Sequence, residues 1–219
     1  MRKFGLIFTV VFYIFNVCCM QTCFAGNYKF SEIEGLEFET ERLILTPTTE
    51  DDKKILSGYL LDKDVTRYLG PSMEMGFDTK EEALRYLNGG SPYYDKVFNL
   101  TIKLKDNKCP VGNVSIMLKN EWSAVNIGYW LGKKFQGNGY AREACLAVCN
   151  KVFNASDISS VLIACDTRNK SSEKLANKIL DYLEQNNKQM NLRRKHRTVN
   201  IDANVKYNEF LLQKNLQKF

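Results

Sequence analysis

Between residues 126 and 165 the chain reads strand, glycine turn, helix, strand, and this order constrains the fold more than any other stretch. A strand pattern over Asn126 to Leu131 runs into Gln136-Gly137-Asn138-Gly139-Tyr140-Ala141. A helix from about Tyr140 to Phe153 follows, with Ala141, Cys145, Val148 and Val152 at helical spacing. Ser160-Val161-Leu162-Ile163-Ala164-Cys165 is then a near-continuous apolar run, as expected of a strand buried on both faces. A glycine-rich turn that opens a helix leaves several N–H groups without partners at the positive end of the helix dipole, which suits a phosphate. Glycine lets the anion approach the backbone. Taken alone, the turn is equally consistent with a plain helix entry. It is neither a Walker loop nor the longer G-x-G-x-x-G dinucleotide fingerprint.

The surrounding elements decide the class. Residues 39–45 alternate like a strand that Pro47 ends, and Thr49-Glu50-Asp51-Asp52 caps a helix with Ile55, Leu56, Tyr59 and Leu60 as its apolar stripe. A second helix is expected from Thr79 to Leu87, capped by Asp78, with Ala83, Leu84 and Leu87 inward and Gly89-Gly90-Ser91-Pro92 closing it. Phe98 to Leu104, Gly112 to Leu118 and Val125 to Leu131 form an antiparallel meander, turning at Asp106-Asn107 and Lys119-Asn120. A helix from about Ser171 to Gln185 turns Leu175, Ile179, Leu180 and Leu183 inward, and Val205 to Leu212 offers one or two closing strands. The order predicts an α+β sandwich around a mixed, mostly antiparallel sheet. One domain is expected, over residues 36–219, and a nucleotide-like ligand belongs at its α/β portion.

Hydrophobic content of 44% and charged content of 26% suit a soluble globular chain, and 12% aromatics argue against wholesale disorder. The net charge of +6 mildly favours anionic partners. Part of it lies in Arg193-Arg194-Lys195-His196-Arg197, read as a solvated loop or strand end. No aromatic platform accompanies that run, so direct nucleic-acid binding is not expected. No metal-ligand spacing is present, and Cys145 and Cys149, four apart on a helix, read as buried small hydrophobes. Arg2-Lys3, an uncharged run from Phe4 to Cys19 and Thr22-Cys23-Phe24-Ala25 resemble a secretory signal peptide over residues 1–25. An uncleaved membrane anchor and a translation start at Met20 are the alternatives, and the sequence does not choose among them.

Five pieces, in order, carry a family resemblance: Glu39-Thr40-Glu41-Arg42-Leu43-Ile44-Leu45, Asp64-Val65-Thr66-Arg67-Tyr68-Leu69, Ile127-Gly128-Tyr129-Trp130-Leu131, Gln136-Gly137-Asn138-Gly139-Tyr140-Ala141 and Asn169-Lys170-Ser171-Ser172. They resemble the GNAT superfamily of acetyl-CoA-dependent N-acetyltransferases, most closely the branch that acetylates ribosomal-protein N-termini and related amines. The resemblance implies a three-layer α/β/α sandwich. It implies that Gln136 and the backbone of Gly137, Asn138, Gly139, Tyr140 and Ala141 hold the pyrophosphate of acetyl-CoA, the co-substrate. Ile127, Tyr129 and Leu131 would lie on a strand that splays from its neighbour and exposes backbone to the pantetheine arm. The side chains of Tyr129 and Trp130 read first as core packing. Asn169 would bond the arm, and Ser172 would protonate the leaving thiolate.

Two departures qualify this. Many relatives carry a carboxylate where Asn126 stands, and Glu121 is the nearest substitute base, although it reads more readily as a turn charge. The Leu-Glu-Lys-Leu-Gly-Phe that ends the family's helix is here Leu175-Ala176-Asn177-Lys178-Ile179-Leu180, which implies a longer helix and an altered acceptor edge. At pH 7 a lysine must spend roughly 4–5 kcal/mol to become neutral, whereas an α-amine needs about 1 kcal/mol. Without a strong base the α-amine of a protein N-terminus is the easier acceptor. The competing reading is a catalytically degenerate fold that binds a CoA compound or a partner, exported if residues 1–25 act as a signal. Acetyl-CoA is scarce outside the cytosol, so the enzyme reading places the domain in the cytoplasm, with membrane contact only if residues 1–25 are retained.

Overall fold

The computed structural model describes residues 36–69, 76–88, 94–118, 124–154, 158–200 and 205–214. Residues 1–25 and Glu121 therefore lie outside the described residues. Among those described, no helix is long and apolar enough to cross a membrane.

The strands are β1 (Phe38–Glu39), β2 (Leu43–Pro47), β3 (Lys96–Leu104), β4 (Pro110–Leu118), β5 (Ala124–Leu131), β6 (Ser160–Asp166), β7 (Leu192–Asn200) and β8 (Lys206–Lys214). The helices are α1 (Glu50–Tyr59), α2 (Lys63–Thr66), α3 (Lys80–Asn88), α4 (Tyr140–Asn154) and α5 (Lys170–Asn186). The sheet order is β1-β2-β3-β4-β5-β6-β8-β7. Every neighbouring pair is antiparallel except β5 and β6, which run parallel because the glycine turn and α4 carry the chain from the end of one to the start of the other.

Period-two alternation assigns the two faces of this sheet. Leu43, Leu45, Val114, Ile116, Val125, Ile127, Val161, Ile163, Phe210 and Leu212 meet Cys145, Val148 and Cys149 of α4 and Ile179, Leu180 and Leu183 of α5 in the main core. The out-of-step residue Trp130 turns to the other face and joins Leu56 of α1, Leu60 at its C-terminal cap, Val65 of α2 and Ala83 of α3 in a smaller core. The expected α/β/α layering is thus present. Burial pushes the Cys149 thiol up to about 12 and the Cys145 thiol well above its usual range, so both pack as neutral, hydrophobe-like groups.

Several local expectations need adjusting. Thr49 and Asp52 form the reciprocal capping box at the start of α1, but Ile55 is 45% exposed, and Leu56 and Leu60 supply the buried stripe. At α3 the cap is Thr79 rather than Asp78: the Thr79 hydroxyl accepts from the Glu82 N–H while the Glu82 carboxylate accepts from the Asp78 and Thr79 N–H groups. The segment from Asp64 to Leu69 supplies only a single helical turn within α2. The basic run lies inside β7, an outer strand of the sheet, rather than in a loop.

Candidate functional site

The parallel pairing of β5 with β6 has three rungs, Ala124 to Ser160, Val125 to Val161 and Asn126 to Leu162, and then stops. Both strands continue. β5 stays paired with β4 out to Leu131, and β6 stays paired with β8 out to Asp166. From Ile127 and Ile163 onward the two strands therefore diverge around a gap, and each keeps one edge without a strand partner. Backbone groups directed into such a gap can serve only a ligand or water. This is the divergence expected for Ile127, Tyr129 and Leu131. The side chains of Ile127 and Leu131 face the main core, so whatever those two residues offer to the gap is backbone.

The glycine turn lies beside this gap. Gly137 and Gly139 both have φ of +81°, a left-handed conformation that a side chain makes costly. A Cβ on Gly137 would meet nothing within 4 Å, so there the conformation and not crowding calls for glycine; one on Gly139 would lie 3.4 Å from the Arg42 guanidinium. The turn is held from below. The Gln136 amide donates to the Leu131 carbonyl at 3.1 Å, and the Asn138 amide donates to the carbonyls of Phe135 and Gln136, each at 3.2 Å. Arg42 donates to the Asn138 carbonyl at 3.1 Å, and in a planar trans peptide this turns the Gly139 N–H the opposite way. The first intrahelical bond recorded for α4 runs from the Glu143 N–H to the Gly139 carbonyl. Among the described residues, the N–H groups of Gly137, Gly139, Tyr140, Ala141 and Arg142 find no acceptor, whereas the turn at Gln136 and Gly137 directs the Asn138 N–H back into the chain. An array of unsatisfied donors at the start of a fifteen-residue helix is an anion site.

The support behind this turn was not singled out in the sequence. Arg42 pairs with Glu143 through Nη2 at 2.7 Å and Nε at 2.8 Å, and its guanidinium lies 4.9 Å from the Tyr140 ring centroid. Glu143 also accepts from the Thr40 hydroxyl at 2.5 Å and the Arg42 N–H at 2.9 Å. Burial works to raise the Glu143 carboxyl, but these bonds outweigh it and hold its pKa below the usual range. Thr40 and Arg42 fall within the first family-like piece, 39–45, which is the signal that could have marked them.

Across the gap stands the start of α5. Asn169 is its cap, accepting from the Ser172 N–H at 3.0 Å, so the Asn169 carbonyl oxygen is already engaged. The Ser172 hydroxyl lies 2.7 Å from the Tyr129 hydroxyl. The structure thus brings Tyr129 of β5 together with Ser172 of α5 beyond the point where the strands part. Tyr129 is more than core packing, whereas Trp130 is core, as expected. Burial raises the Tyr129 phenol far above its usual range, and burial likewise pushes the nearby Cys165 thiol up to about 11. The Tyr129 phenol therefore keeps its proton at working pH and shares a hydrogen bond with the Ser172 hydroxyl.

Asn126 is not part of that pair. It lies at the last rung on the opposite face of the sheet, where its amide donates to the Tyr94 hydroxyl at 2.6 Å. An amide offers no basic atom, and Glu121 is outside the described residues.

The GNAT acetyltransferase domain model matches residues 42–179, more than half of the chain. YnaD, an uncharacterized N-acetyltransferase of Bacillus subtilis, is 23% identical over 144 residues, which cover 66% of this chain and 81% of that protein. Among solved structures, RimL, a ribosomal-protein α-N-acetyltransferase in complex with coenzyme A, superposes with a TM-score of 0.60 at 17% identity, over 78% of this chain and 94% of that one. Spermidine N-acetyltransferase from Vibrio cholerae, in complex with CoA and spermine, superposes at 0.57 and 12%, over 80% and 97%. At such identities the structural likeness speaks to the fold alone. With the family model spanning the gap, the glycine turn and the start of α5, the chain belongs to the GNAT family of acetyltransferases.

Proposed function

We propose that this protein transfers the acetyl group of acetyl-CoA to a primary amine by direct attack, with the α-amine of a protein N-terminus as its preferred acceptor. The observation that carries the reading is the gap between β5 and β6, with the free N–H groups of Gly137 and of Gly139 to Arg142 beside its mouth. The pyrophosphate would sit on that array, and the pantetheine arm would enter the gap and pair with the free edges of β5 and β6. This orients the thioester carbonyl toward a backbone donor that stabilises the oxyanion of the tetrahedral adduct. The neutral amine attacks the carbonyl carbon, its nitrogen releases a proton to solvent, the carbon–sulfur bond breaks, and the CoA thiolate takes a proton from Ser172, which recovers one from solvent. The Tyr129 hydroxyl at 2.7 Å holds the Ser172 hydroxyl in position.

The preference for an α-amine rests on proton energetics. Asn126, committed to Tyr94, supplies no base, so an acceptor that is already substantially neutral near pH 8 has the advantage. RimL, an α-N-acetyltransferase, takes an acceptor of this class, and spermidine N-acetyltransferase does not. An assay of CoA release against N-terminal peptides, polyamines and free lysine decides between them. Higher kcat/KM on peptide N-termini is expected; faster turnover of a polyamine or a lysine side chain refutes the acceptor assignment. Acetyl-CoA binding without CoA release on any amine would point instead to a catalytically degenerate binding protein.

A further inference from the structure

The face of the sheet opposite α4 and α5 carries a feature that the acetyl-transfer reading has not used. Two residues past the last β5–β6 rung, Gly128 and Ala164 stand on the two sides of the gap. A transverse row of paired residues passes through them. On one side Gly128 pairs with Ser115 and Ser115 with Asn99; on the other Ala164 pairs with Glu209 and Glu209 with Arg197. Glu209 is out of step with Phe210 and Leu212 of the main core, so its side chain stands on the same face as Asn126 and Trp130. The two residues flanking the gap are thus the smallest available, and the first charged group beside them is a carboxylate.

That carboxylate is only half used. The Glu209 side chain is 9% exposed, and Arg197 Nε donates to its Oε2 at 2.5 Å. Oε1 has no donor among the described residues. Among those residues only the Thr46 hydroxyl is both sealed from solvent and without a partner, so Oε1 keeps an opening to the outside. Nine-tenths buried carboxylates do not leave an oxygen unpaired without cost. Tyr94 stands close enough to Glu209 to feel its charge, and its hydroxyl accepts from Asn126 on β5, so the three groups border the gap from both strands on this one face.

We propose that Glu209 holds the acceptor: its Oε1 accepts a hydrogen bond from the attacking amine, which reaches the thioester past Ala164 and beside the Met117 methyl that covers Gly128. Arg197 fixes the carboxylate through Oε2, so that Oε1 alone turns to the substrate. The assignment rests on the acetyl-transfer reading above and adds the residue that reading lacks, a side chain on the face away from the glycine turn that touches the amine.

The test measures acetyl-CoA affinity by calorimetry, and amine KM and kcat by CoA release, for the whole chain and for Glu209→Gln and Glu209→Ala. Acetyl-CoA affinity should be unchanged. kcat/KM for the amine should fall roughly tenfold or more in Glu209→Ala and less in Glu209→Gln, which keeps an oxygen at that place. Ala164→Val leaves the Glu209–Arg197 pair intact and should raise KM for a peptide amine more than for ammonia or methylamine. Unchanged amine kinetics in Glu209→Gln and Ala164→Val, with a wild type that turns over, overturn the assignment while leaving acetyl transfer standing. Equal losses in acetyl-CoA affinity and amine kinetics would make Glu209 a structural residue and overturn it as well. A wild type that releases no CoA with any amine overturns both readings.

Discussion

The two faces of the sheet meet the same gap with different materials. On the α4 and α5 face the groups open to a ligand are backbone: free N–H groups of Gly137 and of Gly139 to Arg142 and the unpaired edges of β5 and β6. On the α1 to α3 face they are side chains, with Asn126, Tyr94 and Glu209 around Gly128 and Ala164. A backbone site constrains the sequence only where a side chain would interfere, as at the two positive-φ glycines. A side-chain site changes whenever its substrate does. One gap can therefore keep a constant donor on one face while the other face is free to take different acceptors.

Gly139→Val strikes hardest at the backbone face. A β-branched residue at φ +81° costs about 1–2 kcal/mol, and its Cβ would press on the Arg42 guanidinium that supports the turn. Acetyl-CoA affinity should fall roughly 100-fold, since several N–H donors lose their aim together. Gly137→Ala sharpens the point because nothing lies within 4 Å of its new Cβ. Any loss there, read by calorimetry, comes from backbone conformation. Full affinity in both variants would mean that the pyrophosphate is not held by this backbone.

Ser172→Ala is the next largest expected effect. Removing the hydroxyl nearest Tyr129 should lower kcat roughly 10- to 100-fold with acetyl-CoA affinity retained, and Tyr129→Phe should cost less, since Ser172 would still hold a proton. If Tyr129→Phe proves the more damaging in single-turnover experiments, Tyr129 is the direct donor and Ser172 its support. No loss in either would remove the proton-donor role from this pair.

The same contrast explains what the sequence revealed. The meander, the glycine turn, α4 and α5 were legible because periodicity and turn chemistry agree there: Cys145, Val148 and Val152 repeat at helical spacing and lie in the core. The last hairpin was harder. β7 carries Arg193, Arg194, Lys195, His196 and Arg197 with no apolar alternation, because this outer strand only half-buries its inward residues and Arg194 meets α5 through polar bonds to Asp181 and Asn177. Charged residues there also discourage edge-to-edge association. Glu209 was missed for a related reason. Its strand was recognised only as a closing segment, and its importance depends on Ala164 and Arg197, 45 and 12 positions away in the chain, lying on either side of it. Tyr129 was assigned to the core because its spacing is that of a core residue, and nothing local announces the hydroxyl of Ser172 forty-three residues later.

The smallest expected effect concerns the tether that holds the backbone site in place, and its pH dependence has a definite sign. Glu143 lies in the first turn of α4 and binds Thr40 and Arg42 at the β1–β2 turn, and those bonds hold its carboxyl below the usual range. A carboxylate whose pKa is depressed on folding contributes stability above its unfolded pKa, about 4.3, and loses that contribution as pH falls through the folded value. Glu143→Gln should therefore unfold more easily than wild type at pH 7, by about 1 kcal/mol given the exposed Arg42 partner. The difference should shrink as pH drops below about 5 and close once the wild-type carboxyl is protonated. Urea denaturation across that range measures it. A difference constant from pH 7 to pH 3 would mean that the tether acts by packing and not by charge, and the glycine turn would then be held by the shape of the β1–β2 turn alone.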